Sequence, residues 1–286
     1  MASNSPKLTF HVAISATPAK IPHLLNVLQN ADMPIFEGSI LDQMALEQSS
    51  DANRFDEARI LAEQCLGLIE TTKEGMHITR RAEVILTKRN SVQYDLLHYL
   101  FYIAWKPEAP ARNARSWFYR TACNSLWHRQ NAQLDLDTRN ALTQQLTSQA
   151  LEDFQNVPGF SEEKISIGRQ TMAGVLEWLR HLKPTVVDGE KVKEFHRRQA
   201  CSAELLLLAL NRSCYLSGSE VGMDLLVSPQ RRDEICRVCL MEPLQFDRML
   251  DSILSIFPQF ISQGTRSGSY GRFVRLNRLV QVEDLA

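Results

Sequence analysis

Arg266, Arg272, Arg275 and Arg278 lie within residues 264–278, a stretch without an acidic residue that is interrupted by Gly264, Gly268 and Gly271. Such glycines free the backbone for a hairpin tip. Guanidinium groups next to Thr265, Ser267, Ser269 and Tyr270 on a loop of this kind suit contact with phosphate or the DNA minor groove. The helix expected just before it offers Gln245 and Arg248, residue types able to read base edges, but Asp247 and Asp251 on the same segment oppose a polyanion. A solvated hairpin on a domain that contacts protein is the competing reading of the same residues.

A second cationic group, Arg112, Arg115 and Arg120, falls in an aromatic stretch, 92–130. Arg112, Arg115 and Tyr119 share one helical face, and Ala114, Trp117, Phe118, Ala122 and Leu126 form the other. Aromatics exposed beside arginines would stack on bases. Aromatics at helical spacing more commonly build a core, with the arginines on a solvated face.

The charge is unevenly placed. The chain carries a net −1, yet residues 37–75 hold net −6 and residues 76–130 net +6. The cationic segments are candidates for phosphate contact, whereas the acidic one would repel it. The acidic segment suits a protein partner, a second copy of the chain, or the chain's own basic stretch.

No phosphate-cradling glycine loop ending in Lys-Ser or Lys-Thr, no HExxH and no G-x-S-x-G occurs. Asp188, Glu190 and Lys191 resemble a nuclease carboxylate set faintly, but a charged turn after Pro184 accounts for them. Of the six cysteines, Cys236 and Cys239 form one CxxC; a structural zinc site needs four ligands, and no second pair follows, so packed thiols are expected. The seven histidines are scattered. A non-enzymatic chain without cofactor or metal follows. The longest apolar run, 205–210, is too short to cross a bilayer, and the polar N-terminus lacks an export pattern, so a cytoplasmic location is expected and no membrane contact.

These residues need elements to hold them. Apolar spacing predicts helices over 21–30 and 37–46, and a third ending at Gly67. A hairpin over 68–78 follows, and then a helix capped by Thr79. Pro107 and Pro110 divide the aromatic stretch into two helices, with further helices over 134–154 and 162–182. Residues 183–190 read as a linker. A long helix over 193–216, a helix opened by Ser228-Pro229, another begun by Pro243, and two strand-like runs, 260–263 and 272–276, complete the chain.

The piece LAEQCLGLIETTKEGMHITRRAEVIL resembles winged helix-turn-helix domains, in which a third helix ends in a Leu-Gly-Leu-Ile turn, a wing follows and a threonine opens the next helix. Residues 198–280 resemble the same superfamily by layout. The resemblance implies a mainly α fold with two winged-helix-like units, 1–91 and 190–286, bracketing a helical middle, 92–183. It implies double-stranded DNA as partner, contacted chiefly through the C-terminal unit, with Arg248, Arg266, Arg272 and Arg275 on phosphates. The reading from a different class is an adaptor or scaffold subunit of a larger prokaryotic assembly of the genome-defence or chromosome-organising type. The near-neutral total charge favours it.

Overall fold

A computed structural model describes residues 9–31, 35, 53–106, 108, 110–157, 167–189, 192–264 and 271–286, without the side chains of 53–55 and 110–112. The fold is mainly α with small antiparallel sheets. The helix expected over 37–46 lies outside the described residues, as do Arg266 and Tyr270 and the side chain of Arg112.

The N-terminal unit begins with α1 (Lys20–Gln29), whose Ile21, Leu24, Leu25 and Leu28 recur at helical spacing and are buried. α2 (Asn53–Gln64) runs into Gly67, whose φ of 61° lies in the left-handed region that reverses the chain. β1 (Ile69–Thr72) and β2 (Gly75–Ile78) pair antiparallel, Ile69 opposite Ile78. The Thr79 hydroxyl accepts from Ala82 N and opens α3 (Arg80–Leu86). The chain's last turn, Val282–Leu285, packs on α3, where Arg81 Nε donates to Glu283 at 2.8 Å and Lys88 donates to the Leu285 carbonyl.

The middle is α4 (Asn90–Ile103), α5 (Pro110–His128, kinked at Asn113), β3 (Ala132–Leu134), α6 (Leu136–Phe154) and α7 (Arg169–Arg180). Trp117, Phe118 and Tyr119 are fully buried, and Tyr119 stacks on Phe101 with centroids 4.2 Å apart. The aromatics of this segment therefore build a core, as their helical spacing favours, and do not form a surface open for bases. Burying such rings removes ~150–250 Å² each from water, which outweighs any surface role.

Two expectations for residues 183–202 are also revised. The presumed linker contains β4 (Val187–Asp188), and the presumed long helix begins ten residues later than its reading from 193. β5 (Lys193–Phe195) instead pairs with both β3 and β4, with Lys193 half-buried, Glu194 exposed and Phe195 buried in strand alternation. α8 (Ala203–Leu216) starts where the Ser202 hydroxyl accepts from Leu205 N.

The C-terminal unit then runs β6 (Asp224–Leu226), α9 (Pro229–Cys239), a 3-10 turn (Pro243–Gln245), α10 (Phe246–Ile256), β7 (Ile261–Gln263) and β8 (Phe273–Leu276). Its sheet order is β6-β8-β7, all antiparallel, with Ser262 opposite Arg275 and Leu225 opposite Val274. One helix, a strand, two helices and two further strands thus follow one another, and the three strands close the unit as one small antiparallel sheet. Cys236 and Cys239 are buried on α9, and burial pushes both thiols well above their ordinary pKa, as packed thiols require.

A buried polar staple joins the middle to the C-terminal unit. Arg198 Nη1 donates to Asp95 Oδ1 at 2.6 Å and Arg198 Nε to the Cys239 carbonyl at 2.8 Å, while Ser202 N donates to Asp95 Oδ2 at 2.7 Å. Next to it, His98 is held between the Val238 carbonyl, 2.8 Å from Nε2, and the Tyr119 hydroxyl, 2.7 Å from Nδ1. A carbonyl only accepts, so these partners assign the proton to Nε2 and leave Nδ1 to accept from Tyr119. Burial first, then the Arg198 charge, lowers the His98 pKa to about 4. The folded value lies below the unfolded one of about 6.5. His98 therefore contributes stability in full above that pH, and loses it as pH falls towards 4. The loss is on the order of 3 kcal/mol by linkage. Denaturation between pH 7.5 and 4.5 is expected to show a steeper fall for wild type than for His98→Gln; equal slopes would refute the assignment.

Candidate functional site

The described wing arginines, Arg272, Arg275 and Arg278, are engaged within their own unit. Arg275 Nη2 stands 2.9 Å from Asp224 Oδ1 on β6. Arg272 donates to Asp251 and lies 3.6 Å from Asp247, which also pairs with Arg232 at 3.1 Å. Arg278 stands 3.8 Å from Asp284, with its guanidinium over the Phe260 ring at 4.4 Å. Arg248 donates to the Gln199 carbonyl at 3.2 Å, and Gln245 sits half-buried in the 3-10 turn before α10. The aspartates on α10 thus do more than oppose a polyanion: they hold Arg272. A carboxylate within about 4 Å cancels most of the field a guanidinium would project towards phosphate. Among the described residues, the wing presents no unopposed positive face.

In the basic segment, Arg115 pairs with Glu57 at 3.3 Å, so the acidic N-terminal unit and the basic segment meet inside one chain. Arg120 differs. It lines a cavity of about 220 Å³ together with Arg212 of α8 and Arg237 of α9. None of these three is ion-paired with a carboxylate among the described residues; Arg237 lies 3.5 Å from His128 Nε2. All three are half-buried. The cavity's carboxylate, Glu234, accepts from Gln230 at 3.2 Å. Its other walls include Leu216, Ile235 and the Tyr102–Asn124 pair, in which the tyrosine hydroxyl donates at 2.6 Å.

The local sequence explains why three helices deliver these cations to one place. Arg212 follows the apolar run 205–210 and occupies the next turn's outward edge, its neighbours Ser213 and Cys214 turned inward. Arg237 sits between Ile235 and Val238, both buried, at the half-buried edge of α9. Arg120 lies between Tyr119 and Thr121 on the outer side of α5. Burial foremost, then the like charges of Arg212 and Arg237, lower the Arg120 pKa. Arg120 and Asn124 also line a second groove of about 490 Å³ with His128, Arg129, Gln145 and the Asp153 carboxylate. Arg120 was among the residues expected from sequence; Arg212 and Arg237 were not. Arg212 is the one arginine of an apolar helix and Arg237 one of three on a charged helix, and neither setting carries a local signal that they converge.

Asp188, the described member of the nuclease-like set, lies 3.8 Å from His196 on the middle sheet. No group of three metal-ligating side chains occurs among the described residues, and no helix there is long and apolar enough to cross a membrane.

No family model matches the chain, and no curated protein matches it either. Among solved structures, the fold is similar to a crystal structure of SspB, with a TM-score of 0.57 at 11% identity over 94% of this chain and 83% of that one. At that identity the likeness extends to the fold alone.

Proposed function

We propose that this chain is a non-enzymatic interaction subunit whose C-terminal winged-helix-like unit contacts another protein. The observation that carries the reading is where its apolar surface lies. Eleven large apolar side chains are exposed among the described residues, and eight of them fall within 203–286. Tyr215 and Leu216 at the end of α8, with Val221 and Met223 in the connection to β6, are 44–69% exposed, and Leu244 before α10 is 89% exposed. Apolar side chains grouped on one unit mark contact surfaces more than chance exposure does. The paired state of Arg272, Arg275 and Arg278 supports the same reading, since it removes the field that would draw the unit to a phosphate backbone.

The test is a paired comparison. Tyr215→Asp with Met223→Asp is expected to abolish a complex recovered from the source cell and measured by light scattering, whereas Arg272→Ala with Arg275→Ala leaves it intact. The reverse pattern overturns the reading.

A second reading, contact with double-stranded DNA, has one observation in its favour: the unpaired Arg120, Arg212 and Arg237. It predicts duplex affinity that falls about 10-fold or more between 50 and 200 mM salt if three or more phosphates are neutralised. Such affinity should survive alanine at Arg272 and Arg275 but be lost with Arg120→Ala. Salt-insensitive or absent binding leaves the protein-contact reading alone.

A further inference from the structure

We infer that the cleft between α5, α8 and α9 is a binding site for the dianionic phosphate of a phosphate monoester. Three guanidiniums, Arg120, Arg212 and Arg237, face one cavity whose own carboxylate is Glu234. The charge of the cavity lining is therefore +2, with the Asp153 carboxylate in the adjoining groove outside it, and the ligand that neutralises that lining in one step carries −2. A phosphate monoester does so at neutral pH, its second pKa lying near 6. A carboxylate or a phosphodiester leaves one positive charge uncompensated. Guanidiniums also suit phosphate oxygens by shape, since each presents parallel N–H groups in a fork.

The size agrees with the charge. About 220 Å³ lies below the ~300 Å³ at which pockets begin to enclose a whole drug-sized molecule, yet it is several times the ~30 Å³ share of one water. The cavity takes a phosphoryl head and the first atoms of what bears it. Leu216 and Ile235 offer those atoms an apolar wall. The remainder of the ligand leaves along the adjoining groove past Asn124 and His128, which shares Arg120 with the cavity. Two sources carry such a head: a free small monoester, or the phosphorylated end of a nucleic-acid strand. Leu216 is shared with the exposed apolar surface of the protein-contact reading, but Arg120, Arg212 and Arg237, which carry this site, are not part of that surface.

The experiment is calorimetric titration of the full chain with adenosine 5′-monophosphate, its cyclic 3′,5′-diester, and a short oligonucleotide with and without a 5′-phosphate. Binding of a monoester at least tenfold tighter than its diester or unphosphorylated counterpart supports the site. Equal binding of the mononucleotide and the phosphorylated strand then assigns a free monoester, and tighter binding of the strand assigns a strand end. Arg212→Gln and Arg237→Gln should each weaken the monoester at least tenfold, and Arg80→Gln, on the exposed face of α3, should leave it unchanged. Leu216→Glu adds a carboxylate at the cleft mouth from an exposed position that the core does not need, and should abolish binding in a chain whose helical spectrum is unaltered. No monoester binding, no preference over the diester, or binding indifferent to Arg212, Arg237 and Leu216 overturns the inference.

Discussion

Arg198→Met is expected to lower the stability of this protein by about 3–5 kcal/mol. Arg198 and Asp95 are buried to within 1% and joined at 2.6 Å. The methionine fills much of the volume but leaves the Asp95 carboxylate inside the protein with Ser202 N as its remaining donor among those described. An unpaired charge in that setting costs far more than the pair contributes when whole. The melting temperature should drop by roughly 10 °C, taking ~2–4 °C per kcal/mol for a chain of this size. Replacing both partners, as Asp95→Leu with Arg198→Met, should recover most of the loss, because an apolar pair of similar volume removes the desolvation cost from both sides. Because the pair ties α4 to the turn before α8 and, through the Cys239 carbonyl, to α9, the cleft should loosen along with it. A single variant as stable as wild type in urea would show that the pair is hydrated.

Gly174→Ala is expected to be nearly as damaging, against the usual rule for helices. Alanine in a helix interior is ordinarily favoured over glycine by up to ~1 kcal/mol. On α7, however, an added Cβ at Gly174 would stand 1.9 Å from the Val12 carbonyl oxygen and 2.8 Å from its carbon. Both are backbone atoms, so no side-chain rotation relieves the contact. The helix has to withdraw from the segment carrying Phe10 and Val12, and Phe10 packs edge-on to Phe154 and Trp117 at 4.9 and 5.8 Å. The net loss should reach about 3 kcal/mol, at the upper end for overpacking. Denaturant unfolding decides it: a stabilised variant would mean that Val12 does not approach α7. The cleft lies on other helices, so phosphate affinity of the folded variant should be unchanged.

Much of the architecture follows from local rules. Thr79 and Ser228 accept from the backbone N–H groups that open α3 and α9. Pro229 stands at the first turn of α9, and Gly67 turns the chain before the first hairpin. Ile21, Leu24, Leu25 and Leu28 mark the buried face of α1 by spacing alone. Each of these is a matter of a residue and its neighbours within a few positions, which is the range over which caps, turns and helical periodicity act. The short strands β3, β4, β5 and β6 escaped because two or three residues cannot display a period, and their hydrogen-bond partners come from distant parts of the chain.

What belonged to the sequence alone was the kind of protein: mainly α with small antiparallel β elements, and cations concentrated in two stretches. Which of those cations remain free was decided in three dimensions. Asp224 lies far from Arg275 along the chain and directly opposite it across β6 and β8, while Arg120, Arg212 and Arg237 come from three helices to one cavity. A side chain's charge can be read from its letter, but its field depends on what stands within a few ångströms, and that distance is set only when helices and strands pack.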